Sequence, residues 1–520
     1  MKGSMETNSF KRALDAKEFV YTLELVPGRG ARGKVIEDTM RMAEKAVQGG
    51  KIHALSITDN AGGHPALFPN VLGREICNLG MNPLIHFTCK DKNRNQIESI
   101  LYALDRIGIE NLLVMTGDYP LYGFEGKAKP VYDLDSVQLL HLIKNMNEGK
   151  CIDGKAPGGG TECPPTRFLK GCAVSPFKMQ EAEVLAQYFK LYKKAKAGAD
   201  FVITQVGFDA RKFEEALRFM RQQGIQVPII GNVYVLNRPV ARVMNKGDVP
   251  GCVVTDTLYR IIEQESKAPD KGKTARLTRA AKLIAVLKGI GYQGVHIGGP
   301  NIKYEDVEWV IGKSKEFSAN WQDWVREFSF PQENGFYLFM EDSKTGLNRD
   351  MPNFKRIHPR KKWGYRMMRF VHHFIFLSGA PLFKTACWFF RNLDGSRLEI
   401  PFTEMEYWIK FASSRCQRCG DCTLSELAFL CPQSQCAKFL LNGQCGGSRE
   451  GWCEVFPGKK KCIYVRAYQR LKAYAEEESM MDGYIPPRNW GLTGTSSWAN
   501  YFLSRDHHAV NQGSNRSTLA

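Results

Sequence analysis

At 520 residues the chain is too long for one ordinary core, so two or three domains are expected, one of which can be a single large barrel. Hydrophobic residues make up 43% and charged residues 24%, which excludes a disordered or fibrous chain, and the stretch Phe370 to Phe390 is too interrupted by His372, His373 and Lys384 to be a membrane span. The formal charge of +18 suits nucleic acid, a polyanionic coenzyme or an acidic redox partner, and does not choose among them.

The first eighteen residues are polar and mixed in charge and lack the apolar core of a secretory signal, which places the chain in the cytoplasm. Up to about residue 315 short apolar runs alternate with longer amphipathic ones. Strands are predicted at Tyr21 to Val26, Ala54 to Thr58, Leu84 to Cys89, Leu112 to Thr116, Leu169 to Val174, Phe201 to Val206, Pro228 to Val235 and Gly294 to Ile297. Helices are predicted between them, among others at Val35 to Gln48, Asn95 to Ile107, Met179 to Ala197 and Thr274 to Leu287. Eight such units in some 300 residues point to an α/β fold, a closed (β/α)8 TIM barrel over residues 1–315, in preference to an open doubly wound sheet.

The Gly/Pro-rich stretch Lys150 to Arg167 interrupts the rhythm and predicts a long loop. Residues 316–410 lose the alternation and become aromatic and basic, which predicts a helical connector wrapping one domain onto another. The Phe370 to Phe390 stretch is expected as a buried or partner-facing helix. A cysteine-rich metal-binding domain is expected at 411–490, and a flexible tail rich in Ser, Asn and Gly at 491–520.

In a barrel the catalytic groups stand where the strands finish. The polar residues fall there: Glu24 in the first strand, Ser56 to Asn60 at the second, His86 and Thr88 in the third, Asp118 after the fourth, and Thr204 and Gln205 at the sixth. A glutamate flanked by Leu23 and Leu25 is costly to bury as an anion. Its pKa is therefore expected to rise, making Glu24 a candidate general acid.

The segments Leu23-Glu24-Leu25-Val26-Pro27, Ser56 to Gly63, His86-Phe87-Thr88-Cys89, Gly117-Asp118-Tyr119-Pro120 and Ala197 to Gln205 resemble, in order, motifs of the methylenetetrahydrofolate reductases. The resemblance covers residues 15–315. It implies a flavin, usually FAD, at the catalytic face and the reduction of 5,10-methylenetetrahydrofolate to 5-methyltetrahydrofolate, or the reverse. It also implies that Glu24 protonates the leaving nitrogen, and that Asp118 lies near both the flavin pyrimidine edge and the folate. Thr58, His86 and Lys194 would contact the flavin, and Gln205 would bind the pterin. After Gln205 the chain continues Val206-Gly207-Phe208-Asp209 where better-known bacterial enzymes carry aromatic residues. This departure leaves the electron donor open and admits FMN in place of FAD.

In a reducing compartment dense cysteines read as metal sites. Eight of the 15 follow Cys416-x2-Cys419-x2-Cys422-x8-Cys431-Pro432-x3-Cys436-x8-Cys445-x7-Cys453-x8-Cys462, enough for two sites of four thiolates each. Zinc and [4Fe-4S] both accept four thiolates. Three cysteines at steps of three followed by Cys-Pro favour iron-sulfur, with one site of each also open. The module resembles the zinc- or iron-sulfur-binding partner of acetogen-type methylenetetrahydrofolate reductases, which implies that it passes electrons to the barrel flavin. Beside the tetrahydrofolate substrate this leaves room for a redox partner protein and a homo-oligomer, with no nucleic acid expected. The alternatives are a flavin enzyme acting on another pterin or one-carbon substrate, and a basic zinc-binding interaction protein.

Overall fold

The computed structural model describes residues 8–150, 163–353 and 358–509. The chain divides into two compact units, Met1–Arg356 with Cys445–Glu450, and Ile357–Gln444 with Gly451–Ala520.

In the first unit eight short strands, apolar on both faces, need cover on both sides, and parallel pairing with a helix after each strand supplies it. They are β1 (Val20–Leu25), β2 (Ala54–Ile57), β3 (Leu84–Thr88), β4 (Asn111–Met115), β5 (Leu169–Val174), β6 (Phe201–Thr204), β7 (Ile229–Tyr234) and β8 (Gly294–Gly298). They close into a barrel in chain order, with β8 pairing β1 from Val20↔Gly294 to Leu23↔Ile297. The (β/α)8 expectation is met, and each boundary falls within two residues of the sequence reading. The expected loop at 150–167 lies mostly outside the described residues.

A helix unforeseen in the polar N-terminus, Ser9–Asp15, packs against the N-terminal ends of the strands. Its Phe10, fully buried, meets Phe201 edge-on at 5.1 Å and joins a cluster with Val20, Ala54, Leu84 and Ile230. Asn8 caps the helix by accepting from the Lys11 N–H, and donates to Asn111 at 3.0 Å. With that end filled, the polar strand ends stand at the opposite one.

The expected boundary at 315 is corrected, because residues 316–353 belong to the barrel unit. A hairpin of β9 (Phe339–Glu341) and β10 (Asn348–Pro352) lies on the helix Ala210–Gln222, held by buried carboxylates. Glu214 accepts from the Asn348 backbone at 2.9 Å and side chain at 2.6 Å. Glu215, fully buried, accepts from Lys212 at 2.9 Å, Tyr188 at 2.8 Å and the Leu338 N–H.

In the second unit the stretch from Phe370 to Phe390 is not one helix. Trp363–Val371 ends in a π-turn at His372–Phe376, and a separate helix runs Phe383–Leu393. Its two ends differ: Phe390 is buried in a cluster with Leu393, Ala499 and Phe502, whereas Phe370 is 67% exposed. Within the expected tail a helix forms at Ser497–Phe502. Helix Ser497–Phe502 is tied down because Glu406 accepts from the Ser497 hydroxyl at 2.7 Å and from the Ser496 hydroxyl. No helix among the described residues is long and apolar enough to cross a membrane.

Candidate functional site

β1 turns Thr22 and Glu24 to the same side, as a strand must at a spacing of two. Glu24 Oε2 lies 3.3 Å from His296 Nε2 on β8, whose Nδ1 lies 2.8 Å from Thr22 Oγ1. The tautomer that serves both contacts carries its proton on Nε2, so that Nδ1 accepts from the threonine. His86 on β3 stands across from this pair, its ring 6.1 Å from that of His296 and its Nε2 2.7 Å from Ser56 Oγ.

Burial pushes the Glu24 pKa up, as foreseen, but the hydrogen bond from His296, with the His296 and His86 rings beside the carboxyl, outweighs it and holds the carboxyl below its ordinary value. The expected rise is thus reversed by a histidine 272 residues away in sequence. For His86 burial dominates, lowering its pKa to about 4 against the opposing charge of Glu24. Its imidazole is neutral at physiological pH.

Asp118, after β4, accepts from the Gly62 N–H at 3.0 Å, which joins the loop after β2 to the loop after β4. The approach is close: a side chain on Gly63, at φ +75°, would stand 2.8 Å from Pro120 Cα. Thr58 is buried and extends the pairing of β2 by donating its N–H to Leu25 O. Asp59 pins the third strand, accepting from Thr88 Oγ1 at 2.7 Å and from buried Lys92 at 2.6 Å. Gln205 follows β6, its Oε1 accepting from the Val206 N–H at 2.9 Å. Lys194 belongs to another set. Its Nζ donates to Ala173 O on β5 at 2.6 Å, near Cys172 and Lys190, and burial lowers its pKa to about 8.

Sequence reasoning missed His296, whose only sign is a polar residue inside the apolar run Gly294-Val295-His296-Ile297, the same sign that marked Glu24. It also missed Tyr234 and Cys252, which feel the Glu24 charge. Burial pushes the Cys252 thiol up to about 12, with Asp118 and Glu24 adding to it. The segment Cys445–Glu450 is part of this unit too. Lys178 donates to Ser448 O at 2.7 Å and to Gly446 O, Gln187 donates to Cys445 O at 2.8 Å, and the Ser448 hydroxyl donates to buried Glu183 at 2.8 Å.

In the second unit Cys416, Cys419, Cys422 and Cys431 line one cavity. Donors surround the sulfurs: Lys410 Nζ is 3.2 Å from Cys422 Sγ, and Arg488 Nη1 is 3.0 Å from Cys419 Sγ. Burial raises the Cys419 thiol to about 11, so a metal would have to displace its proton. Cys436 and Cys453 are near enough to influence each other and Cys462 is buried, while Cys445 falls in the first unit.

Comparison with known proteins gives two family matches, "Methylenetetrahydrofolate reductase" over residues 9–303 and "Methylene-tetrahydrofolate reductase C terminal" over 396–491. A probable methylenetetrahydrofolate reductase (NADPH) of Caenorhabditis elegans is 26% identical over 230 residues, 43% of this chain and 31% of the worm protein. Methylenetetrahydrofolate reductase (NADH) 1 of Arabidopsis thaliana is 24% identical over 229 residues, 44% of this chain and 37% of the plant protein. The alignments thus span about a third of the length of these curated relatives. A solved structure described as an uncharacterized protein from Clostridium thermocellum that binds two copies of 5-methyl-5,6,7,8-tetrahydrofolic acid aligns with TM-score 0.41 and 14% identity, over 60% of this chain and 99% of that one. The match over residues 9–303 takes in more than half of the 520 residues and runs from the N-terminal helix through the eighth strand, and on it the chain belongs to the methylenetetrahydrofolate reductase family.

Proposed function

We propose that the barrel interconverts 5,10-methylenetetrahydrofolate and 5-methyltetrahydrofolate with a bound flavin, Glu24 serving as the general acid. The observation that carries this reading is a carboxyl group at the C-terminal end of β1, in hydrogen-bond contact with His296, in a member of this family.

The residues present suit a flavin and a pterin. The Asn232 Oδ1 on β7, opposite His296 in register, is buried without a hydrogen-bond partner, an acceptor that the N–H of either ring system would satisfy. Neutral His86 and buried Thr58 offer uncharged contacts to the isoalloxazine, whereas Lys194, buried and donating to Ala173 O, stands outside this set. When bound and reduced, the flavin supplies the hydride.

Opening the five-membered ring of the substrate requires a proton on a poor leaving nitrogen, and Glu24 donates it in its protonated form, against the pull of His296 that lowers its pKa. His296 holds the carboxyl in place. The exposed iminium carbon is cationic, and the Asp118 carboxylate stabilises it. Gln205 binds the pterin. Cys416, Cys419, Cys422 and Cys431 would hold a metal centre, their spacing favouring [4Fe-4S] over zinc, and as a cluster it would supply electrons to the barrel. Cys436, Cys453 and Cys462 belong to a further metal-binding set.

The test is the visible spectrum of anaerobically purified protein, with iron, zinc and sulfide content. Bound flavin that bleaches on adding 5-methyltetrahydrofolate is the expected result. Flavin that is retained and never bleaches rejects the folate assignment, and a colourless protein that takes up no added FAD or FMN rejects the flavin.

A further inference from the structure

Where the sequence predicts a flexible end, the second unit places a histidine pair whose two rings are arranged alike. His507 Nδ1 lies 2.6 Å from Asp421 Oδ1, and His508 Nδ1 lies 3.0 Å from Asp506 Oδ2. With each Nδ1 engaged by a carboxylate, the Nε2 atoms remain, and both approach one oxygen. Glu426 Oε1 is 2.7 Å from His508 Nε2 and 3.5 Å from His507 Nε2. His507 is 5% exposed, and its Nε2 has no hydrogen-bond partner.

We propose that His507 Nε2, His508 Nε2 and a Glu426 carboxylate oxygen bind a divalent first-row transition ion at a site separate from the thiolates. One ligand atom from each residue lies within 4.8 Å of the others. Ligand atoms about 2.1 Å from a common ion stand roughly 3–3.5 Å apart, so small side-chain adjustments admit the ion. The carboxylates on the far side of the rings are what metal-binding histidines use to fix their tautomer and raise their basicity, and Asp421 and Asp506 are both nearly fully buried in that role. Two imidazoles and one carboxylate suit zinc, iron(II), cobalt or nickel, and do not suit magnesium or calcium.

Three protein ligands leave coordination positions open, as in sites that bind water or substrate. His508 and Asp506 line a cavity of about 250 Å3 whose other walls include Met367, Phe376, Trp498 and Tyr501, so a small ligand has room beside the ion. All three ligands lie in the second unit, and the two histidines fall beyond residues 396–491, which the C-terminal family match covers.

The experiment uses the full-length protein, purified anaerobically and equilibrated with zinc. Zinc-edge anomalous diffraction from crystals of the unmodified chain should place a peak between the two Nε2 atoms and Glu426. Elemental analysis should find one zinc ion fewer per chain in His508→Gln and in Glu426→Gln, with iron and sulfide unchanged. No peak at that position in zinc-equilibrated wild-type crystals overturns the proposal, leaving a network of protonated histidines among carboxylates. Equal zinc in the wild type and both variants overturns it as well. If the variants fail to fold, the wild-type diffraction still decides.

Discussion

Glu24 and His296 are in hydrogen-bond contact, and the acid function assigned to Glu24 works against the pull of that contact on its carboxyl. Replacing the acid tests the role directly: Glu24→Gln should lower folate turnover by about 10²- to 10⁴-fold while bound flavin remains reducible by dithionite. Replacing the partner tests the electrostatics. His296 depresses the Glu24 pKa, so His296→Phe should raise it, and because the acid acts when protonated, the high-pH limb of the turnover profile should move to higher pH. An unmoved limb would show that His296 does not govern the acid. His86 tests burial: its folded pKa, about 4, lies below the ordinary 6.5, so the folded state binds fewer protons than the unfolded chain between those values. Stability is therefore full above the unfolded pKa and falls with pH, by about 2 kcal/mol between pH 7 and pH 5 through this group alone. Urea unfolding at the two pH values should show a smaller difference in His86→Gln than in the wild type.

Among the elements, the N-terminal helix and the β9–β10 hairpin are the two that the strand-helix rhythm did not announce. The helix packs through the short stripe Phe10, Ala13 and Leu14, and the hairpin through buried carboxylates. The helix contributes one fully buried aromatic, and Phe10→Ala should cost about 3–5 kcal/mol, read as a lower urea midpoint. The hairpin is held through carboxylates on a helix whose charged run Lys212-Phe213-Glu214-Glu215 is buried. The eight strands were legible because short apolar runs between turn residues carry their own period. Charged side chains that are buried by pairing have no such signature, since the same residues on a surface look identical in the chain.

For the whole molecule, the thiolate cluster is the part whose chemistry is open to measurement without any substrate. Cys419→Ser should remove one metal centre, seen as a loss of iron and sulfide, or of zinc, with flavin content unchanged. A variant that keeps the wild-type metal content would exclude Cys419 as a ligand. The spacing of the cysteines made their grouping readable, because four cysteines with short gaps fall around one cavity. Their environment was not readable: Lys410 comes from a preceding helix and Arg488 from a segment 69 residues beyond Cys419.

Local order along this chain was enough to reveal a closed barrel, polar groups at its strand ends and a cysteine array with metal-ligand spacing, since each depends on periods or gaps of a few residues. Pairings across long separations were not accessible in that way. Barrel closure brings residue 296 to residue 24, a separation of 272, and the fold of the second unit brings His507 to Asp421 across 86. Such contacts reversed the expected direction of the Glu24 pKa and turned an apparently flexible end into a candidate metal site. The reason is physical: a side chain's solvation and charge are set by what packs against it, and packing partners are chosen by the closure of the whole chain.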